Sequence, residues 1–325
     1  MSGARSGQTA PALRIGTRAS ALALWQARHV ESLIRALPGA PSVELVPITT
    51  TGDVRTDVPL WAVRGRAFFT KELDRALLER RIDIAVHSLK DLPTAMEPGL
   101  ALAAVLTRED PRDALISRTG APVMQLPPGA RVGTSSLRRR AFLSRARRDL
   151  TLLELRGNVP TRIERLERGD YDAIVLATAG LKRLGLEHWI TQHLSPEDFP
   201  PAVSQGAIGV CTRADDPYSV GWLKPLEDLP TRLATTAERA LLERIEGGCQ
   251  VPLGALATVA GSDIRLHAAV CALDGSRLLG TTGKAEATEA GAVSLGVRLA
   301  TELIAKGAAS LIAAERAMQG RTEAP

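Results

Sequence analysis

A run of arginines between residues 133 and 148 is the densest group of side chains that could do chemistry. Its members are Arg138, Arg139, Arg140, Arg145, Arg147 and Arg148. The hydroxyl-rich residues 134–136 precede a predicted helix, whose free N–H groups and positive dipole end favour anions. Guanidinium groups in the first turn complete such a site, because they bind carboxylates and phosphates bidentately. We expect Arg138 and Arg139 to contact a ligand, and Arg145, Arg147 and Arg148 to lie on the outer, solvated face.

Two other segments add charged groups beside predicted strand ends. Residues 155–162 are typical of a strand end, a tight turn and a helix start, and they place cations next to free backbone donors. Residues 87–91 follow a buried strand, at the edge where ligands of open α/β sheets bind. Lys90 and Asp91 therefore put a cation and a carboxylate at the edge of a predicted cleft. Taken alone, this pair is explained equally well as a surface ion pair.

The three cysteines differ in their surroundings. Cys249 lies between two glycines and a proline, after a predicted helix, which favours an exposed loop and a point of covalent attachment. The alternative is a small buried apolar residue, the usual role of a free cysteine. Nothing local favours the thiolate, so a fast nucleophile is not expected. Cys211 and Cys271 lie in strand-like runs and are predicted to be core residues. No cysteine or histidine spacing indicates a metal site.

Composition limits the class of protein. At 325 residues, with 45% hydrophobic and 24% charged residues, the chain predicts two or three folded domains and no wholesale disorder. No apolar run approaches the ~20 residues of a membrane span, and the N-terminus lacks a signal-peptide pattern, so we expect a cytoplasmic protein. Of the 41 basic residues, 35 are arginine. A GC-rich genome explains most surface arginines, while clustered ones favour anion binding; aromatic residues, at 3%, are scarce for a nucleic-acid binder.

Strand and helix patterns alternate over the first two thirds of the chain. Strands are predicted at residues 13–17, 43–48 and 82–87, with helices after Ser20 and over residues 68–80. This alternation is typical of an α/β fold with a largely parallel sheet. Residues 78–86 are echoed by 166–175, and 16–20 by 133–138, which predicts two similar lobes with a cleft between helix N-termini. Chance similarity of common strand–helix units is the alternative.

The pattern changes beyond about Lys224. A helix is predicted over residues 235–246, followed by strands at 251–259, 264–273 and 277–284. Leucines at 295, 299 and 303 predict a final helix that covers the resulting sheet. We therefore expect a separate antiparallel α+β domain.

Five long motifs make the chain resemble the porphobilinogen deaminase family, also called hydroxymethylbilane synthases. The motifs are residues 14–26 (RIGTRASALALWQ), 83–91 (DIAVHSLKD), 132–139 (VGTSSLRR), 155–158 (LRGN) and 246–252 (EGGCQVP). The resemblance implies two periplasmic-binding-protein-like α/β lobes with a third, smaller α+β domain whose three-stranded antiparallel sheet is covered by helices. The implied boundaries are 11–106 plus 207–224 for the first lobe, 107–206 for the second, and 225–325 for the domain carrying the cofactor cysteine.

The resemblance also implies an activity. It is the stepwise head-to-tail condensation of four porphobilinogen molecules into linear hydroxymethylbilane, with release of ammonia, in tetrapyrrole biosynthesis. A dipyrromethane cofactor on a Cys249 thioether would prime a monomeric transferase that has no nucleic-acid or membrane partner. Asp91 would be catalytic. Implied cofactor-binding residues are Cys249, Lys90, Ser136, Arg138, Arg139, Arg162, Ser88, Thr134 and Gly206. Implied substrate-binding residues are Arg18, Ser20, Arg156, Arg183 and Gln205, with Arg66 and Phe69 in a mobile loop over residues 53–69.

The chain departs from the family pattern at a few positions. Residues 63–67 (VRGRA) stand where members often have glycine and lysine, and Pro160 and Ser204 replace common glycines. The rival hypothesis is a non-catalytic anion- or solute-binding protein built on the same two lobes, and a nucleic-acid binder ranks third. A solute binder would need neither the third domain with its Cys249 nor Asp91 among cations.

Overall fold

The computed structural model describes residues 12–50, 70–245 and 251–313. Its first five-stranded sheet contains β1 (Leu13–Thr17), β2 (Val43–Pro47), β3 (Ile84–Ser88), β4 (Leu100–Val105) and a returning strand, β10 (Ile208–Arg213). The order is β2-β1-β3-β10-β4. β1 pairs in parallel with β2 and β3, whereas β10 runs antiparallel to β3 and β4. The sheet of the first lobe therefore includes a strand, β10, that follows the whole second lobe in the sequence.

The second five-stranded sheet repeats this arrangement. It contains β5 (Asp113–Ser117), β6 (Arg131–Gly133), β7 (Thr151–Leu153), β8 (Ala173–Ala177) and β9 (Gln192–His193), in the order β7-β6-β8-β5-β9. Again three strands are parallel, and β5 runs antiparallel to β8. The shared order confirms the two similar α/β lobes that the repeat predicts.

Helices follow the parallel strands because capping residues stand at the strand ends. The lobes contain α1 (Ala21–Arg35), α2 (Lys71–Leu78), α3 (Leu137–Ala146), α4 (Val159–Glu167), α5 (Thr178–Arg183) and α6 (Pro217–Leu223). Ser20, Ser136 and Asn158 cap α1, α3 and α4 by accepting backbone N–H bonds. Pro160 stands in the first turn of α4, where a missing N–H costs nothing, which explains why this departure from glycine is tolerated.

The third domain packs two helices on an antiparallel sheet. Its elements are α7 (Leu229–Arg244), β11 (Leu253–Ala260), β12 (Asp263–Cys271), β13 (Leu278–Glu286) and α8 (Glu289–Ala305). Every second residue of β12 from Ile264 to Val270 is fully buried in the core shared with α7 and α8. The predicted antiparallel domain is thus confirmed. However, α7 begins six residues before the predicted start at 235, because Asp228 caps it and Pro230 occupies its first turn.

The segments that connect the lobes meet at one buried carboxylate, Glu238 of α7. Arg108, in the first connection, donates to both of its oxygens at 2.6 and 3.2 Å. Ser204, in the second connection, donates its backbone N–H at 2.6 Å, and Ala257 of β11 donates at 2.8 Å. Since Glu238 is 0% exposed, removing either Arg108 or Glu238 would leave its partner in this ion pair buried without a counter-charge and would be strongly destabilising. All three domains are joined at this point.

Ser204 also has an unusual backbone. Its φ is +63°, in the left-handed region that a Cβ disfavours, and its hydroxyl lacks a hydrogen-bond partner in the described structure. The departure from glycine at this position is therefore a strained one.

The two described cysteines are core residues, as predicted. Cys211 and Cys271 are both fully buried, and burial raises the pKa of the Cys211 thiol to about 12. Across residues 12–50, 70–245 and 251–313, none of the helices has the length and apolar character needed to span a bilayer.

Candidate active site

Side chains from both lobes and from the second connection meet at the ends of β3 and β8. Lys90 and Asp91 lie on a three-residue 3-10 turn directly after β3, and buried Leu89 anchors that turn. Lys90 Nζ donates to Gln205 Oε1 at 3.2 Å. Gln205 Nε2 in turn donates at 2.9 Å to Oδ1 of Asp113, at the start of β5. Lys90 is therefore linked to the second lobe through Gln205.

Asp113 organises the two arginines at the start of α3. Arg138 Nη1 lies 2.7 Å from Asp113 Oδ2, and Arg139 donates from Nε and Nη2 to Oδ1 at 3.1 and 2.8 Å. Although burial opposes it, the two guanidinium groups hold the pKa of Asp113 well below its usual range. Both arginines are less than a tenth exposed, so two buried cations share one buried carboxylate. Asp113 is not among the residues that the sequence predicts, because a single aspartate at the start of a strand gives no local signal.

Burial also lowers the pKa of other cations in this cleft. The pKa of Lys90 falls to about 8, mainly through burial, with Asp91 opposing the shift and Arg139 adding to it. Burial likewise lowers the pKa of Arg162 to about 10, assisted by Arg139 and Arg156, while Asp91 opposes it. A bound carboxylate would offset the burial of these cations, so the cleft suits an anionic ligand.

The Asp91 carboxylate stands apart from this network. Within the described part of the chain, no hydrogen bond or ion pair engages its oxygens, although its charge acts on both Lys90 and Arg162. It is half-buried. A carboxylate held on a short turn and left without a protein partner is suited to accept a ligand N–H or to stabilise a ligand cation.

Arg183 marks a second contact between the lobes. Its Nη2 donates to Gly206 O at 2.6 Å, and its guanidinium carbon lies 5.9 Å from the ring centroid of Trp25 on α1. Burial lowers the pKa of Arg183 to about 10. Gly206 has a φ of +93°, and a Cβ there would collide with the carbonyl oxygen of Glu109. Only glycine allows this close approach of the two connecting segments.

The remaining predicted residues line the N-terminal ends of α1 and α3. Ser20 and Ser136 are the N-caps of those helices, and Thr134 Oγ1 accepts from Ser136 N at 3.2 Å. Ser88 Oγ accepts from Gln26 Nε2 at 2.8 Å. Burial, with a smaller contribution from neighbouring Arg18, lowers the pKa of His87 to about 4, which places Arg18 close to the end of β3.

One expectation about the arginine run is wrong. Arg147 does not lie on a purely solvated face, because it donates to the carbonyl oxygens of Val123, Met124 and Leu126 and pairs with Asp149. It holds the 123–126 turn against the end of α3. Arg145 and Arg148 are exposed as expected, although Arg145 also donates to Gly275 O at 3.3 Å.

Some predicted site residues lie outside the described residues. They are Cys249, Arg66, Phe69 and the rest of the predicted loop over residues 53–69. Among the residues that are described, no three histidine, cysteine, aspartate or glutamate side chains cluster as metal ligands would.

Two α/β lobes, a third antiparallel domain and a cleft with several buried cations define a class of protein suited to anionic ligands. Comparison of the sequence with family models gives the particular family. Residues 13–220 match the model described as porphobilinogen deaminase, dipyromethane cofactor binding domain, and residues 232–305 match porphobilinogen deaminase, C-terminal domain. The chain belongs to the porphobilinogen deaminase family, transferases of tetrapyrrole biosynthesis that work with a dipyrromethane cofactor.

Solved structures with a similar chain path include several solute-binding proteins. The VFT2 domain of BvgS from Bordetella pertussis is 14% identical, with a TM-score of 0.41, over 65% of this chain and 84% of that one. A methionine-bound nutrient binding protein from Burkholderia cenocepacia is 16% identical, with a TM-score of 0.41, over 65% and 90%. A periplasmic sulfonate-binding protein from Methylobacillus flagellatus is 14% identical, with a TM-score of 0.39, over 70% and 68%. At these TM-scores the lobe architecture rests on the strand order alone.

Proposed function

We propose that this chain is a hydroxymethylbilane synthase that joins four porphobilinogen molecules head to tail and releases one ammonia for each. The observation that supports this reaction is the group of buried cations near Asp91, in which Arg138 and Arg139 share the single carboxylate of Asp113. Every pyrrole unit has an acetate and a propionate side chain, so the growing product is a polyanion. Charge-assisted bonds from arginine and lysine are the strong ones in a cleft of this kind.

Cations of the second lobe, with Lys90, hold the carboxylates of the cofactor in this proposal. The cofactor set is Ser88, Lys90, Thr134, Ser136, Arg138, Arg139, Arg162 and Gly206. The incoming substrate is held by Arg18, Ser20, Arg156, Arg183 and Gln205. Because Arg139 already donates from Nε and Nη2 to Asp113, it contributes to binding of the cofactor mainly through its positive charge.

Asp91 does the chemistry through its negative charge. When the aminomethyl C–N bond of porphobilinogen breaks, nitrogen leaves as ammonia and positive charge spreads onto the pyrrole nitrogen. A carboxylate at hydrogen-bond distance accepts from that N–H and stabilises the cation. The free α-carbon of the terminal pyrrole ring then bonds to the methylene carbon of this cation and loses its proton, a step that the same carboxylate can assist. Lys90, on the same turn, holds a carboxylate of the cofactor.

The residues present fit a dipyrromethane. Arg138 Nε is a buried donor without a protein partner in the described structure, and the capped N-terminus of α3 lies directly beside it. Attachment is through a thioether to Cys249, in the segment between the end of α7 and the start of β11. When bound, the cofactor supplies the pyrrole carbon that takes the first substrate unit. The lobe boundaries given by the resemblance, a monomeric state and a cytoplasmic location complete the proposal.

Intact mass tests the proposal most directly. The purified protein is expected to carry the mass of two pyrrole units and to give a colour with Ehrlich's reagent. Cys249→Ala should lose both signals and all turnover. Cys211→Ala, which alters a buried cysteine of the first lobe, is the matched control and should keep them. An unmodified wild-type chain would favour the solute-binding rival instead, and a Cys249→Ala protein with normal mass would remove the attachment assignment.

A further inference from the structure

Arg239 of α7 connects the third domain to the chain that follows Asp91. Its guanidinium donates to three successive carbonyl oxygens: from Nη1 to Leu92 at 3.3 Å, and from Nη2 to Pro93 at 2.6 Å and to Thr94 at 3.2 Å. A cation that bridges several carbonyls of one loop fixes the path of that loop more firmly than a single bond does. Arg239 therefore determines where the chain leaves the Lys90–Asp91 turn.

The other side of this turn is held independently. Leu89 N donates to Ala207 O at 3.0 Å, and both Leu89 and Leu92 are buried in the core of the first lobe. The carbonyl groups of residues 92–94 accept from the third domain, through Arg239. The turn is thus held at its start by the first lobe and at its end by Arg239 of the third domain.

The helix that holds Arg239 is also the helix that leads to the proposed cofactor attachment. Glu238, the preceding residue, binds both lobe connections, and α7 ends at Arg244, five positions before Cys249. We propose that Arg239 is a positioning residue that sets the place of the Asp91 carboxylate relative to the third domain and so to the cofactor. This inference rests on the proposed function, because it needs Asp91 as the catalytic group and Cys249 as the attachment point.

The test variant is Arg239→Met, and Arg232→Met is its matched control. Arg232 lies two turns earlier on α7 and donates to a carbonyl of the first lobe, at Leu102, while pairing with Glu227. Both variants lose a contact between α7 and the first lobe, but only Arg239 touches the segment after Asp91. We expect Arg239→Met to lower kcat about tenfold with KM changed less than about twofold. Arg232→Met should keep kcat, and both should keep the cofactor mass.

The coupling between Arg239 and Asp91 is a more specific measurement than the loss of kcat alone. If Arg239 acts through Asp91, its substitution should have little further effect on turnover in an Asp91→Asn background, so that the two changes are not additive. Arg239→Lys, which keeps one charged donor group, should recover part of kcat, and it replaces Arg239→Met should that protein fail to fold. Thermal midpoints of all variants record the loss of domain contact separately.

The outcomes separate this inference from the proposed function. A normal kcat in Arg239→Met, equal losses in Arg239→Met and Arg232→Met, or additive effects with Asp91→Asn would overturn the positioning role while leaving the function intact. A wild-type chain without covalent pyrrole, in contrast, would remove the proposed function itself.

Discussion

The two lobes share one sheet order but present opposite charges at equivalent points. β1 and β6 each run into a hydroxyl turn and a helix capped by serine, Ser20 in one lobe and Ser136 in the other. After the third parallel strand the lobes differ. β3 is followed by the short turn with Asp91, whereas β8 is followed by α5, which ends at Arg183. The same backbone plan thus brings the Asp91 carboxylate, next to Lys90, from one lobe and Arg183 from the other.

The difference extends to how each group is supported. The second lobe buries Arg138 and Arg139 around an internal partner, Asp113, so its cations are part of the fold. The first lobe leaves Asp91 half-exposed on a turn that is held by buried Leu89, by the backbone bond from Leu89 to Ala207 and by Arg239, none of which contacts the carboxylate itself. Changes in the second lobe should therefore cost stability as well as binding. Changes at Asp91 should cost turnover and little else.

The largest effect is expected for Asp113→Ala. Two buried guanidinium groups would lose their carboxylate, and breaking such a buried pair costs about 3–5 kcal/mol. Urea unfolding measures this free energy. The control is Asp172→Ala in the same lobe, whose pair with Arg131 is solvent-exposed and should be worth about 0.2–1 kcal/mol. Equal losses for the two variants would mean that the arginines do not depend on Asp113.

Asp91→Asn should give the next largest effect. The amide keeps size and one acceptor oxygen but removes the charge, and a positioned electrostatic or acid–base group contributes about 10²–10⁴ in rate, or roughly 3–5 kcal/mol. We expect at least about a hundredfold loss of kcat at a nearly unchanged thermal midpoint, with Asp91→Glu partly active. An Asn variant with more than about a tenth of wild-type turnover would reduce Asp91 to a binding residue.

A smaller effect concerns the pH dependence of Lys90. Because burial lowers its pKa to about 8, Lys90 is charged below that pH and loses its charge as the pH rises through it. Cofactor assembly in the protein freed of pyrroles should therefore slow above pH 8, by up to about tenfold per pH unit. Lys90→Arg stays charged and should be flat over the same range, which also controls for titration of the substrate. Parallel profiles for both proteins would exclude Lys90 as the cause.

The smallest predicted effect is a gain in stability. Ser204→Gly should stabilise the fold by about 0.5–1 kcal/mol, because relief of the left-handed backbone exceeds the entropy that glycine adds to the unfolded chain. Ser204→Ala removes the same unpaired hydroxyl but keeps the Cβ and is the matched control. Thermal unfolding compares them, and a Gly variant no more stable than the Ala variant would show that the positive φ costs nothing here.

Features set by neighbouring residues were predictable from the sequence. The helix starts after Ser20 and after the hydroxyl-rich residues 134–136, and the Lys90–Asp91 pair at a strand end, follow from local chemistry, and the structure has them where expected. Strand ends differ by up to two residues because pairing, rather than propensity, decides where a ladder stops.

Features that depend on strand order were not predictable. Asp113 meets Arg139, 26 residues away, only because β5 runs antiparallel beside β8, under the start of α3. Arg239 meets Pro93 across 146 residues, and no periodicity reports such a contact. The start of α7 differs from the prediction for another reason, because apolar spacing indicates residue 235 whereas the cap formed by Asp228 and Pro230 sets the start of the helix.

The four donors on Glu238 have a mechanical consequence. Two lobes can rotate about the segments that connect them. Here, however, Arg108 of the first connection and Ser204 of the second donate to the same carboxylate. A motion that separates the lobes must then either break these hydrogen bonds or move α7, and with it the third domain. We therefore expect any opening of the cleft to be a motion of all three domains rather than of the two lobes alone.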